Sequence, residues 1–186
     1  LGALEKGDKS PVTIADFGAQ ALVCQHVKAA FPNDPIVGEE DSADLQEPGN
    51  ADQLAKVKGY VQQVHPAATD TDICSWIDAG NGTVANRFWT LDPIDGTKGF
   101  LRNDQYAIAL ALIEDGEVQV AAMACPALPL SLDAPDEPTG SLFVAVRGEG
   151  AEMASISDQS FAPISVAAID AGDTSGLRFV ESVESG

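Results

Sequence analysis

Residues 89 to 100 read Trp-Thr-Leu-Asp-Pro-Ile-Asp-Gly-Thr-Lys-Gly-Phe. The pattern is a buried strand that ends in two carboxylates, Asp92 and Asp95, on a turn that Pro93 and Gly96 make easy. Pro93 fixes its own φ and lacks an amide donor, while Gly96 lets the backbone pass close to a ligand. Two hard oxygen donors at a strand end suit a divalent cation, and the amides of Gly96 and Thr97 beside them suit an anion. Magnesium and phosphate together satisfy both. The pentapeptide Asp92 to Gly96 is by itself also the composition of an ordinary turn.

Candidates elsewhere carry similar double readings. Glu39, in Val37-Gly38-Glu39-Glu40-Asp41, is locally a solvated loop acid at a strand end. Asp16, in Thr13-Ile14-Ala15-Asp16, has capping-box spacing and reads as a helix cap. A cap and a working carboxylate are compatible, because an acid fixed at a helix start is also preorganised. Lys6, Lys98 and Arg102 face water by default, and Lys98 and Arg102 could offset an acidic site. His26 and His65 read as helical residues without a ligand partner at metal spacing, and Cys24 and Cys125 as small core residues.

The twelve-residue string resembles the signature of the lithium-sensitive, magnesium-dependent phosphatase superfamily, which includes inositol monophosphatases, fructose bisphosphatases and 3'(2'),5'-bisphosphate nucleotidases. Its Thr97 to Arg102 ending is similar to the bisphosphate nucleotidases of fungi and plants, whereas inositol monophosphatases usually carry Thr-Asn-Phe there. Three blocks match in order, Lys6 to Asp16, Val37 to Asp41 and Trp89 to Arg102, with Cys125-Pro126 and Gly148 to Ala151 as further landmarks. The resemblance implies that Glu39 ligates a first metal, with Glu40 behind it or on the surface. It implies that Asp92 bridges two metals, that the Ile94 carbonyl completes the first site, and that Asp95 belongs to the second. The Thr97 hydroxyl, polarised by Asp16, would orient and deprotonate the attacking water, and the Gly96 and Thr97 amides would bind phosphoryl oxygens.

The implied reaction is hydrolysis of 3'-phosphoadenosine 5'-phosphate to AMP and phosphate with two or three Mg²⁺ ions, the 5'-phosphosulfate analogue being a second substrate. Lithium and sodium would compete at one magnesium position. An inositol phosphate substrate, or a non-catalytic metal-binding or interaction module, are the alternatives. Members of the family carry a further helix before the Lys6 block and a C-terminal domain that supplies a last metal-ligating Asp and most nucleoside contacts. Nothing after Phe179 resembles that domain. The expectation is therefore a fragment, with residues 1–176 a metal-binding domain and 177–186 the start of another. A weakened second metal site and self-association through an exposed apolar face would follow.

The elements that must position these residues are legible from periodicity. A helix is predicted from near Thr13 to before Pro32, with Phe17, Ala21, Cys24, Val27 and Phe31 on one face. Ile36-Val37 is a strand end. A second helix carries Leu54, Val57, Val61 and Val64 inward, and a third covers Asp72 to Ala79 with Ile73, Trp76 and Ile77 inward and Gly80 as its stop. After the signature, residues 105–113 alternate large and small, as in a strand covered on both faces. Asp115-Gly116 is a hairpin turn, followed by a return strand. Residues 140–147 form another strand, 179–183 begin one more, and 155–176 are weakly patterned. Helices first and hairpin-linked strands after predict an α+β class with helices packed on a mostly antiparallel sheet. The resemblance implies the N-terminal domain of the layered sugar-phosphatase-like fold.

Composition bounds the partners. The 186 residues are 45% hydrophobic, enough for one substantial core. With 29 acidic against 10 basic residues and a net charge of -19, the overall field opposes nucleic acid and anionic membranes. The same field repels a phosphorylated small molecule, so a phosphate site here needs cations. Three cysteines at wide spacing argue against a disulfide framework and for a cytoplasmic, reducing setting. No apolar run is long enough to cross a bilayer.

Overall fold

Thr13 ends one short strand and starts the first long helix. In the computed structural model, residues 3–5, 11–131, 139–158 and 160–166 are described, with isolated positions at 168, 172 and 175. Strands β1 (Ala3–Glu5) and β2 (Pro11–Thr13) form a small antiparallel pair ahead of helix α1 (Ile14–Ala30). The Thr13 hydroxyl accepts the Ala15 amide while Asp16 closes back on Thr13, so the predicted cap is present. Phe17, Ala21, Cys24 and Val27 are buried as the spacing requires. Phe31 is instead the C-terminal cap, half-exposed and tilted against the Trp89 ring.

Strand β3 (Ile36–Val37) is followed by α2 (Ala51–Val61) and α3 (Asp70–Asp78). Val57 and Val61 are buried, but Val64 is not on the inward stripe: α2 has ended and the side chain is exposed. The Pro66 ring disfavours helical backbone at His65, so the helix ends early and His65 lies beyond it between two turns, contrary to its helical reading. Helix α3 begins two residues before the predicted start because Thr69 and Asp72 form a second capping box. Ile73 and Ile77 are buried, and Trp76 packs at the edge of the same cluster.

Seven strands form one sheet in the order β3, β4 (Arg87–Asp95), β5 (Ala107–Glu114), β6 (Glu117–Pro129), β7 (Thr139–Val146), β8 (Gly150–Ser155) and β9 (Ala162–Ile164). Among the described residues only the β3–β4 pairing of this sheet is parallel; the rest is an antiparallel meander, which is the predicted α+β architecture. Asp115 and Gly116 both have positive φ, as a tight hairpin turn needs. Strands β8 and β9 are short and exposed and carry little apolar alternation, so periodicity does not separate them. The strand expected at 179–183, the Lys6 side of the first block and the boundary at 177 lie outside the described residues.

The two faces of the sheet differ. Cys24 and Val27 of α1 pack on Trp89, Leu91 and Leu112, forming one core, and a second core joins the three helices through Phe17, Val57, Ile73 and Ile77. The other face carries Thr90, Asp92, Ala109, Ala111, Ala121 and Met123 along a shallow cavity of about 390 Å³. The reading of β5 as covered on both faces is thus corrected. Ala109 and Ala111 are only half-buried, since no described element lies over that side. Among the described residues, no helix is long and apolar enough to cross a membrane.

Candidate metal centre

Strand β4 brings both aspartates to one side by breaking its own register. Asp92 pairs with Ala109 and Asp95 with Ala107, so Pro93 and Ile94 together face the single Ile108. In an unbroken strand, residues three apart point to opposite faces. The extra residue of the bulge cancels that alternation, and Asp92 and Asp95 fall opposite two alanines of the same face. A proline is tolerated there because a bulge needs no ladder donor. Both Pro93 and Ile94 are buried and anchor the bulge.

Beyond the bulge, Gly96 takes a left-handed φ of 85° and opens the short helix α4 (Thr97–Leu101). The Thr97 hydroxyl donates to the Ile94 carbonyl at 3.1 Å. That carbonyl keeps a second lone pair. Gly99 is required by packing, since a Cβ there would collide with the Gln105 carbonyl. Lys98 and Arg102 lie on the exposed side of this turn.

Glu39 arrives from the neighbouring strand. The parallel register sets Ile36 beside Trp89 and Val37 beside Thr90, so the chain leaving β3 runs past the end of β4. There the Glu39 carboxylate comes up beside Asp92, although Glu39 is otherwise exposed. Burial, the charge of Glu39 and the charge of Asp95 push the Asp92 carboxyl up to about 6. Its Oδ1 is buried without a hydrogen-bond partner. Glu40 is 4% exposed, which removes the surface option for that residue.

Asp16 stands on the third side, 2% exposed at the start of α1. Its Oδ2 accepts from the Thr13 amide at 2.7 Å and the Thr13 hydroxyl at 2.6 Å. Burial nonetheless raises its pKa, with Glu39 adding to the rise. Asp16 and Thr97 are not hydrogen-bonded to each other. The hydroxyl is engaged by Ile94 and the carboxylate by Thr13, although α4 packs beside β2.

The donor set fits a hard divalent cation. Glu39 and Asp95 both repel Asp92, one oxygen of Asp92 is orphaned, and the Ile94 carbonyl stands between the two aspartates in sequence. Among the described residues, no group of three His, Cys, Asp or Glu side chains lies close enough together to hold a metal ion. Magnesium does not ask for one, because it keeps several waters and takes one or two carboxylates. The remaining titratable groups are elsewhere. His26 and His65 rings lie 5.4 Å apart, with His65 edge-on to Trp76, and burial pushes the free Cys24 thiol up to about 12.

One residue at this site belongs to no sequence motif. Gln20, one helical turn after Asp16, is fully buried and hydrogen-bonded to the backbone of Glu39 and Glu40. Its only signal was a polar residue on an otherwise apolar helix face.

An α+β domain with carboxylates gathered at a bulged strand end defines the class. The chain belongs to the inositol monophosphatase family, whose family profile matches residues 2–174. It is 47% identical over 198 residues to the 3'(2'),5'-bisphosphate nucleotidase of Schizosaccharomyces pombe, covering 100% of this chain and 56% of that protein. The 3'(2'),5'-bisphosphate nucleotidase 2 of Candida albicans is 42% identical, covering 100% of this chain and 57% of its own length. The Arabidopsis thaliana 3'(2'),5'-bisphosphate nucleotidase 1 is 39% identical, covering 96% and 56%. The chain thus spans a little over half the length of these relatives. Among solved structures, a staphylococcal inositol monophosphatase matches with a TM-score of 0.48 and 22% identity, over 82% of this chain and 41% of that one.

Proposed function

We propose that this chain carries the cation- and phosphate-binding residues of a Mg²⁺-dependent phosphomonoester hydrolase. Its substrate is 3'-phosphoadenosine 5'-phosphate, its products are AMP and phosphate, and the 5'-phosphosulfate analogue is a second substrate. The observation that carries this reading is Asp92, whose buried, orphaned oxygen sits among the like charges of Glu39 and Asp95. A cation bound to Asp92 would relieve its repulsion with these neighbours. The nucleotide is favoured over an inositol phosphate because the three relatives above, at 39% to 47% identity, are bisphosphate nucleotidases.

In this reading Glu39, Asp92 and the Ile94 carbonyl would hold one ion, and Asp92 with Asp95 would hold another. Bound there, a divalent cation neutralises phosphate charge and lowers the pKa of water. The chain's own groups do the rest. Asp16, made more basic by burial, would polarise the Thr97 hydroxyl once that hydroxyl leaves the Ile94 carbonyl, and Thr97 would orient the attacking water, taking its proton as it passes its own to Asp16. The Gly96 and Thr97 amides receive the phosphoryl oxygens as their charge shifts. Cytoplasmic residence accords with three free, buried thiols. Self-association through the uncovered Ala109–Met123 side of the sheet completes the reading.

The test is phosphate release from 3'-phosphoadenosine 5'-phosphate with Mg²⁺, with and without Li⁺, beside inositol 1-phosphate and an Asp92→Asn variant. Lithium-sensitive release from the nucleotide that the substitution abolishes is the expected result. Release that survives Asp92→Asn, or preference for the inositol ester, would overturn the site or the substrate respectively.

A further inference from the structure

A second-row residue of the same site decides where Glu39 points. Gln20 is fully buried, and its side-chain amide makes four hydrogen bonds. Its Oε1 accepts the Glu39 amide at 3.1 Å and the Glu40 amide at 2.9 Å. Its Nε2 donates to the Ile77 carbonyl at 2.9 Å and to the Glu40 carbonyl. Two donors and two acceptor lone pairs are the whole capacity of a primary amide, so every site is used. Turning the amide over would set its NH₂ against two N–H groups and its oxygen against two carbonyls. One orientation alone satisfies the network.

The surroundings are shaped to that amide. A Cβ at Gly38 would come within 2.6 Å of Gln20 Oε1, and one at Gly80 within 2.6 Å of Nε2. The Gly38 amide donates to the Gly80 carbonyl at 2.7 Å, so the two glycines close around the side chain. A buried amide of this kind is costly unless fully paired. Packing alone would be served better by Leu or Met at this position. What the glutamine adds is a fixed backbone for an exposed acid. Glu39 itself has no burial to hold it, yet its carboxylate stands beside Asp92, and its charge is felt at Asp16. Gln20 is also on the helix that carries Asp16, at i+4, so one rigid element sets the base and the ligand loop together.

We infer that Gln20 is a positioning residue for the metal site: it presets the Glu39 carboxylate by binding the Glu39 and Glu40 amides, and so sets cation affinity. The inference rests on Glu39 and Asp92 being cation ligands. Partners of metal ligands that act from behind typically contribute 10- to 100-fold in affinity, and a loss in that range is expected for Gln20→Leu.

Two readouts test it, Mn²⁺ binding followed by electron paramagnetic resonance and amide hydrogen exchange at Glu39 and Glu40 without metal. Gln20→Leu should weaken Mn²⁺ binding about 10- to 100-fold and remove protection from both amides. Ile73→Ala, in the helical core, serves as a control that lowers the melting temperature without touching the loop. It should leave Mn²⁺ affinity unchanged where it is folded. Wild-type Mn²⁺ affinity in folded Gln20→Leu, or an equal loss in Ile73→Ala, would overturn the inference. Loss of amide protection with Mn²⁺ binding unchanged would also overturn it, by showing that the loop is held but carries no ligand. Failure of the metal reading itself has a separate mark: Asp92→Asn would then bind Mn²⁺ as the wild type does.

Discussion

Two helices in this chain begin with the same device. At α1, Thr13 and Asp16 form a capping box with bonds of 2.7 and 2.6 Å to Asp16 Oδ2; at α3, Thr69 and Asp72 form another with bonds of 2.9 and 2.6 Å to Asp72 Oδ2. Hydrogen bonds to a carboxylate favour its charged form, and at Asp72 they prevail, holding the carboxyl below its usual range. At Asp16 the same bonds lose to burial, and Glu39 pushes further in the same direction. Local sequence makes the cap; burial beside Glu39 makes one of the two cap carboxylates harder to ionise. The pair is therefore an internal control for which properties of Asp16 belong to the helix and which to the chemistry.

The largest separation is expected in activity. Asp16→Asn should lower Mg²⁺-dependent phosphate release by roughly 10²-fold or more, the usual contribution of a positioned general base. Asp72→Asn should leave it within about twofold, the small change expected at a cap far from the chemistry. Equal rates for the two variants would return Asp16 to a purely structural role. Removing the other half of each box comes next. Thr69→Ala should cost about 1 kcal/mol, as exposed caps do. Thr13→Ala should cost about 2 to 3 kcal/mol, since it strips a donor from a carboxylate that water cannot reach. Urea denaturation at pH 7 measures both, and indistinguishable midpoints would mean that burial adds nothing at Asp16.

The comparison also shows what the amino-acid sequence can and cannot convey. Both boxes have Thr-x-x-Asp spacing, but only the first was read, because Thr13 precedes a long apolar stripe and Thr69 a short one. The Asp92 to Thr97 turn was legible because its residues are neighbours whose backbone requirements are local. So were the direction of α1 and the antiparallel meander, which follow from periodicity and the Asp115-Gly116 turn. The bulge was not legible, since alternation counts residues and a bulge is a miscount that only the Ala107 and Ala109 pairings reveal. Gln20 was invisible for a related reason. Its partners are backbone atoms 19 to 57 residues away, and backbone has no sequence signature. The open face of the sheet was misread because alanines alternating with leucines describe two buried faces as well as one.

The smallest effect is in pH-dependent stability, where the carboxylates should pull in opposite directions. Asp92 has a folded pKa of about 6 against an ordinary value of 3.8, so the folded protein holds its proton more tightly than the unfolded one. Stability then falls as pH rises from about 4 to about 6 and is flat above, and Asp16 acts in the same sense. Asp72 is lowered, so its contribution is present above pH 3.8 and is lost as pH falls through its folded value. Without metal, the melting temperature should therefore climb to near pH 4 and then decline. Because Asp92 is partly solvated, the decline is worth about 1 kcal/mol, or about 2 to 4 °C. Asp92→Asn should flatten it, and so should saturating Mg²⁺, which binds only deprotonated carboxylates. Asp72→Asn should leave the decline and blunt the climb. A decline that persists in Asp92→Asn would place the repulsion among other acids, and the strain that calls for a cation at the end of β4 would be gone.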